Sequence, residues 1–337
     1  MPPFADILLV AALAILSPAR NAVVPVRVAG AGVQPPVKLE WACDGVDGDS
    51  FPDMFLVVKP EGGVRQVFSV TNAAEAYVTN LELGRRYFWG VVPAVGGKGA
   101  TSCFTTPLDP PRLLRVEGLA NFRDLGGWSG LGGRRVRQNM MFRSAGLRAS
   151  ARRVGGSEFA PVFMPGATNI TEGGLEYMRS EFRIKTDIEL RPKEETLFMQ
   201  SSLLGEDAAW VKVPFPVGAA IDGIEKGREP FMRVFRRLLR EDSYPVAFHC
   251  ADGRGRTGTL ALIINGLLGV SEADLRSDWT VGAASAESGS LDGLLAYLHS
   301  LGGENVRECC EAFARGCGVS DAEIEAFRAI MLEGGRG

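Results

Sequence analysis

Residues 244–268 read YPVAFHCADGRGRTGTLALIINGLL. The apolar, β-prone run up to Phe248 predicts a strand that ends at His249-Cys250. A loop with glycines at 253 and 255 follows, and from Arg256-Thr257-Gly258 onward the composition is that of an apolar helix. A glycine-rich strand-to-helix turn presents several backbone N–H groups on its concave side, and the helix N-terminus adds a positive partial charge. Ala251, Asp252, Gly253, Arg254, Gly255 and Arg256 therefore form a cradle for a phosphate-sized anion. A cysteine at its base, Cys250, is favoured as the nucleophilic thiolate. Arg256 can offer two phosphate oxygens a planar fork, and Thr257 can donate a hydroxyl hydrogen bond to the sulfur.

The Cys-x5-Arg spacing is weak evidence taken alone, because Cys309 and Arg315 in VRECCEAFARG share it inside a helix-like stretch with no intervening glycine. What distinguishes the 250–256 copy is its setting: histidine before, two loop glycines, Thr-Gly after, a strand upstream and a helix downstream. A Walker-type nucleotide loop is excluded, since Gly-x4-Gly-Lys-Ser/Thr does not occur. The other histidine, His299 in LLAYLHSLGG, stands near a predicted helix C-terminus, where its charge is favoured without any chemistry.

Around this stretch, extended runs alternate with helical ones. IKTDIELR (184–191) and WVKVPF (210–215) are extended, whereas GGLEYMRSEF (173–182), EPFMRVFRRLLRE (229–241) and DAEIEAFRAIML (321–332) are helical. Such alternation predicts an α/β domain over 108–337 with a mostly parallel central sheet flanked by helices. Residues 34–107 differ. VKLEW, MFLVV, RQVFSV, EAYVTNL, RYFWGVV and TSCFTT recur about every ten residues with no helical period, which predicts a small all-β sandwich. PLDPPR (107–112) is the linker. Residues 1–33 contain ILLVAALAIL (7–16), too short to span a bilayer but suited to a leader core; MPPFAD before it lacks a basic residue, so a buried strand or helix is the alternative. An exported location, in which Cys43 could bridge Cys103, is expected if the leader reading holds, and a cytoplasmic one otherwise.

With 37 basic and 40 acidic residues the chain has no basic field for nucleic acid, and two histidines argue against a histidine-based metal site. No cofactor, metal or stable membrane insertion is expected. From Leu125 to Ser157 no acid occurs while seven arginines do, including Arg143 and Arg148. This is either a solvated loop or a positive rim for an anionic substrate.

HCADGRGRTG (249–258) resembles the signature loop of cysteine-dependent protein tyrosine phosphatases. ANFRDLGGW (120–128), MFRSAGL (141–147) and KTDIELRPKEE (185–195) resemble, in the same order, a bacterial atypical branch of that superfamily, and GVSDAEIEAFRAIML resembles its closing helix. TNLELGRRYFWGVV (79–92) is similar to the late strands of a fibronectin type III module. The resemblance implies hydrolysis of phosphomonoesters, of protein phosphotyrosine first, through a phosphocysteine on Cys250, with Arg256 on the phosphoryl oxygens and His249 tuning the thiolate. Asn121, Arg123 and Asp124, with Arg143 and Glu189, would support the cradle; the alternative for the first three is a tight turn before Gly126-Gly127. The sequence departs from the branch at Gly255, where many members carry an aspartate that protonates the leaving group. Asp222 and then Asp252 are the replacements expected. Two rival readings are a phosphatase of phosphoinositides or inositol phosphates, and a weakly active module that binds phosphorylated ligands.

Overall fold

The structure is a computed structural model that describes residues 13–25, 34–43, 51–155, 158–162, 169–216, 226–281 and 288–334. The chain forms two compact units, Met1–Asp109 and Pro110–Gly337.

Among its described residues the first unit has eight strands: β1 (Leu13–Ser17), β2 (Ala22–Val23), β3 (Val37–Cys43), β4 (Met54–Pro60), β5 (Gln66–Val70), β6 (Glu75–Val78), β7 (Arg86–Pro93) and β8 (Ala100–Thr105). Alternate side chains are apolar and buried, as in Val37, Leu39 and Trp41 of β3 or Tyr87, Trp89 and Val91 of β7. A period of two leaves each strand one inward face, so the strands collect into two sheets, β1-β3-β6 and β2-β8-β7-β4-β5, that share a core. The Tyr87 ring stacks on Phe104 at 5.5 Å, and its hydroxyl accepts a hydrogen bond from the Glu82 N–H at 2.8 Å. β1 and β2 belong to residues 1–33, separated above as a leader or N-terminal segment. β1 pairs with β3 and β2 with β8, so the later half of the apolar run is a strand of the sandwich. Residues 1–12 lie outside the described residues. Cys43 and Cys103 do not bridge: they lie on β3 and β8, strands of different sheets.

The second unit centres on a five-stranded sheet ordered β14-β13-β15-β10-β9, with β9 (Arg123–Asp124), β10 (Met141–Ser144), β13 (Thr186–Glu189), β14 (Ala209–Lys212) and β15 (Val246–His249). The first four run parallel, and β9 is antiparallel to β10. A separate hairpin, β11 (Ser150–Gly155) and β12 (Glu158–Val162), follows β10. Every residue of β10, β13 and β15 is buried, which is the signature of a sheet covered on both faces. Along β15, Val246 and Phe248 join the larger core on one face while Ala247 joins a smaller one on the other.

Helices α2 (Arg228–Leu238), α3 (Gly255–Leu267), α4 (Glu272–Val281), α5 (Ser288–Ser300), α6 (Val306–Gly316) and α7 (Asp321–Met331) supply most of the larger core. α3 is buried continuously from Thr257 to Leu267, as expected of a helix apolar on all sides. Asn305 caps α6, and Ser320 with Glu323 forms a capping box on α7. The stretch read as one helix over 173–182 is instead a short α1 (Glu172–Tyr177) that widens into a π turn, Met178–Phe182, ended by the left-handed Arg183. Glycines at 173 and 174 weaken the helix where it starts, and Phe182 is held by edge contacts to Phe122 and Phe142 rather than by helical register. Among the described residues no helix is long and apolar enough to cross a membrane.

Candidate active site

The loop Cys250–Arg254 leaves the carboxyl end of β15, at the sheet edge where parallel α/β folds hold their ligands, and α3 begins at Gly255. Gly253 has φ +74°, and a Cβ there would lie 2.5 Å from the Ser144 carbonyl carbon and 2.6 Å from the Ala145 nitrogen. Only glycine lets the loop press against the end of β10. Gly255 faces open space. Cys250 is 1% exposed, with its sulfur 3.6 Å from Asp252 Oδ1, which also accepts the Arg254 N–H at 3.1 Å. The Thr257 hydroxyl is buried and has no hydrogen-bond partner among the described residues, the Cys250 sulfur included.

Arg256 is held by a residue that the sequence reading did not single out. Its Nη1 and Nη2 donate to Glu195 Oε1 and Oε2 at 2.8 and 3.0 Å, a fork-on-fork pair that fixes the guanidinium plane. Glu195 lies on a 3-10 turn, Lys193–Thr196, just after β13.

The loop carbonyls are braced from the other side. Asn121, itself left-handed at φ 58°, donates through Nδ2 to the Gly253 carbonyl at 2.9 Å and to that of Asp252 at 3.3 Å. Arg143 Nη2 donates to the same Gly253 carbonyl at 2.9 Å. Its Nη1 reaches Asp278 Oδ2 at 2.6 Å, while Arg123 Nε reaches Asp278 Oδ1 at 2.8 Å and Arg123 Nη1 pairs with Asn121 Oδ1. One buried carboxylate on α4 therefore serves two buried arginines. Burial works against charge on Asp278, but Arg123 and Arg143 outweigh it and hold its carboxyl below the usual range. Burial, with Arg123 alongside, pushes Arg143 down to about 10. Asp124 does not touch the loop: it accepts from the Gly126 and Asn139 N–H groups and from Arg112, and so closes the turn. Of the three residues expected as either brace or turn, Asn121 and Arg123 fall in the brace and Asp124 in the turn.

Beneath the cradle lies a second buried network. His249 Nε2 is 2.7 Å from Asp187 Oδ1 and its Nδ1 is 3.7 Å from Glu189 Oε2. Burial opposes a charged imidazole, but Glu189 and Asp187 outweigh it and hold the pKa above the ordinary histidine value. Glu189 is forked by Arg191, at 2.8 and 2.7 Å, with both side chains fully buried. Ser202 donates to Asp187 at 2.6 Å.

Asp222, the first candidate proton donor, lies outside the described residues. Asp252 lies beside the sulfur. His299 is partly exposed and links Glu272 at 3.0 Å to the Cys309 sulfur at 3.5 Å. Cys309 is sealed from solvent, and burial pushes its thiol up, so this nucleophile-like trio is closed. Asp187, Arg191, Glu195 and Asp278 are the site residues that sequence reasoning missed. Asp187, Arg191 and Glu195 stood inside a segment already quoted for its family resemblance; Asp278 carried no local signal beyond being the unmatched acid that two buried arginines require.

Residues 114–154 and 166–292 match the model of a tyrosine phosphatase family. A tyrosine-protein phosphatase of Nostoc commune is 25% identical over 203 residues, which cover 45% of this chain and 67% of that protein. Among solved structures, the core catalytic domain of the PP-IP phosphatase SIW14 from S. cerevisiae, in complex with citrate, is 17% identical, with TM-score 0.29 over 43% of this chain and 82% of that one. With the matched span enclosing the Cys250–Arg256 loop and its braces, the chain belongs, through its second unit, to the tyrosine phosphatase family.

Proposed function

We propose that the second unit hydrolyses phosphotyrosine in proteins, by two displacements at phosphorus on Cys250. In the first, the thiolate attacks in line, an S–P bond forms as the P–O bond to tyrosine breaks, and the leaving phenolate takes a proton from a carboxylic acid. In the second, water attacks the phosphocysteine, inorganic phosphate departs and the thiolate is regenerated. Loop N–H groups and the Arg256 donors that the Glu195 pair leaves over hold the equatorial oxygens and stabilise charge that spreads over them in the transition state. His249 sets the electrostatics under the nucleophile, and Asn121 and Arg143 fix the loop carbonyls so that its N–H groups turn toward the ligand. Asp222 or Asp252 supplies the proton. Thr257, with its hydroxyl unspent on protein, stabilises the departing sulfur.

The observation that carries the reading is the Arg256–Glu195 fork beside Cys250 at the base of a braced, glycine-bearing loop. In the first unit, the strand order of the two sheets and the Tyr87–Glu82 bond at the start of β7 support a fibronectin type III-like sandwich.

The test is phosphate release from p-nitrophenyl phosphate with a metal chelator present, for wild type and Cys250→Ser. Chelator-resistant turnover lost in the variant is the expected result; equal turnover in both would mean a different nucleophile, and none in freshly reduced wild type would favour a binding-only protein. A second reading, an inositol polyphosphate substrate, is favoured by the acid-free stretch from Leu125 to Ser157, whose exposed Arg148 follows the segment packed on the loop. Competition between inositol phosphates and phosphotyrosine peptides separates the two.

A further inference from the structure

The outer face of the five-stranded sheet in the first unit does not look like a solvated surface. Directly opposed residues of antiparallel strands share a face, so the register places Lys59, Phe88 and Cys103 in one row, Val57, Gly90 and Thr101 in the next, and Phe55 and Val92 in a third. Their neighbours along each strand, Leu56, Val58, Trp89 and Val91, fill the core, so these rows point away from it. Phe55, Phe88 and Val92 are each about two-fifths exposed, at 42%, 41% and 40%.

Gly90 interrupts the middle row. A cavity of about 460 Å³ lies over it, lined by Gly90 together with Val57, Phe88 and Val92, within the range of small-ligand sites. The dent is a property of the backbone, since a Cβ at Gly90 would sit 2.5 Å from the Ala100 carbonyl oxygen.

The charge at this cavity has one sign. Among the described residues, Arg20, Lys59 and Arg86 line it and no acid does. Among the described residues none of the three forms an ion pair, and Glu61 acts on Arg86 only at a distance. Arg86 is positioned: its guanidinium carbon lies 5.0 Å from the Phe88 ring centre, and Nη2 donates to Asn21 Oδ1 at 3.1 Å and to Cys103 Sγ at 3.4 Å. That contact leaves other donors of the guanidinium for a ligand, and it holds the Cys103 thiol below its ordinary range.

We propose that this face is a ligand site for a small anion, a carboxylate or phosphate, carried on an apolar ring or short chain. The ring enters the dent over Gly90 against Phe88 and Val57, and the anion meets Arg86 and Lys59 at its rim. The site lies on the unit that lacks the Cys-x5-Arg loop, so it stands apart from the phosphatase assignment.

The test uses the full chain carrying Cys250→Ser, so that a phosphate ester is not consumed, and follows backbone amide shifts of residues 88–92 and 101–103. The probes are phenylacetate, phenyl phosphate, neutral 2-phenylethanol and acetate. At least one aromatic anion should shift these amides saturably, with 2-phenylethanol and acetate at least tenfold weaker. Lys59→Gln combined with Arg86→Gln should weaken binding at least tenfold, and Phe88→Ser does the same to the apolar wall if the charge variant fails to fold. Equal response to 2-phenylethanol, no saturable shift by either aromatic anion, or undiminished affinity in a folded variant would overturn the proposal.

Discussion

Cys250 with Arg256 and Cys309 with Arg315 share a spacing, and both sulfurs are buried, at 1% and 0% exposure. They differ in the backbone between them. From Cys309 to Arg315 the chain is helix α6, in which six residues turn the side chain by roughly 240° beyond a full circle. Cys309 consequently faces the core while Arg315 faces water, half-exposed and tied to Asp321 and Glu311. From Cys250 to Arg256 the chain is a turn followed by the first residues of a helix, and Arg256 curls back to be held against Glu195. Spacing and the burial of the cysteine are equal in the two places; only the loop yields converging donors.

The sharpest way to break the comparison is to exchange its sulfurs for oxygen. Cys250→Ser should lower kcat/KM for p-nitrophenyl phosphate by about 10³-fold or more, whereas Cys309→Ser should leave it within about twofold and act on melting temperature instead. The arginines come next. Arg256→Lys keeps the charge but loses the fork and should cost about 10²-fold in kcat, while Arg315→Lys changes nothing measurable in turnover. Glu195→Gln tests the fork more gently and should lower kcat by about tenfold.

The brace gives a third, mixed effect. Asp278→Asn leaves Arg123 and Arg143 buried without their counter-charge, at a cost of about 3–5 kcal/mol in denaturant unfolding, with a fall in kcat as the Gly253 carbonyl loses its anchor. Because the Asp278 carboxyl is held low, its stabilisation is present above the unfolded value near 3.9 and is lost as pH falls through the folded value; Asp278→Asn should flatten that acid limb of stability. His249 gives the smallest effect and the opposite sign. Its raised pKa means the charged ring stabilises fully below about 6.5, and that contribution fades as pH rises through the folded value. Melting temperature against pH for His249→Gln should lack this alkaline decline.

How much of this was legible depends on how far each contact reaches along the chain. Strands β3 to β8 and helix α3 follow from local period, since alternation or continuous apolarity is written into a handful of neighbours. The loop is equally local: its cysteine, glycine and arginine act within seven residues. Glu195, Asp187 and Asp278 reach the site from 61, 62 and 135 residues away from the groups they hold, so no spacing announces them. Asn121 and Arg123 were found through resemblance, and it did not say that Asp124 closes a turn instead of touching the loop. The break of 173–182 into α1 and a π turn depends on Phe182 seeking Phe122 and Phe142, a tertiary choice that helical period alone does not contain.

The sharing of Asp278 by two arginines also orders events during synthesis. Asn121, Arg123, Arg143 and the whole cysteine loop leave the ribosome before α4 does. At about 5–20 residues per second, Asp278 emerges roughly one to four seconds after Arg256. For that interval the nascent chain carries its nucleophile and both arginines without the carboxylate that neutralises them, so the site is completed by a residue made after the loop it braces.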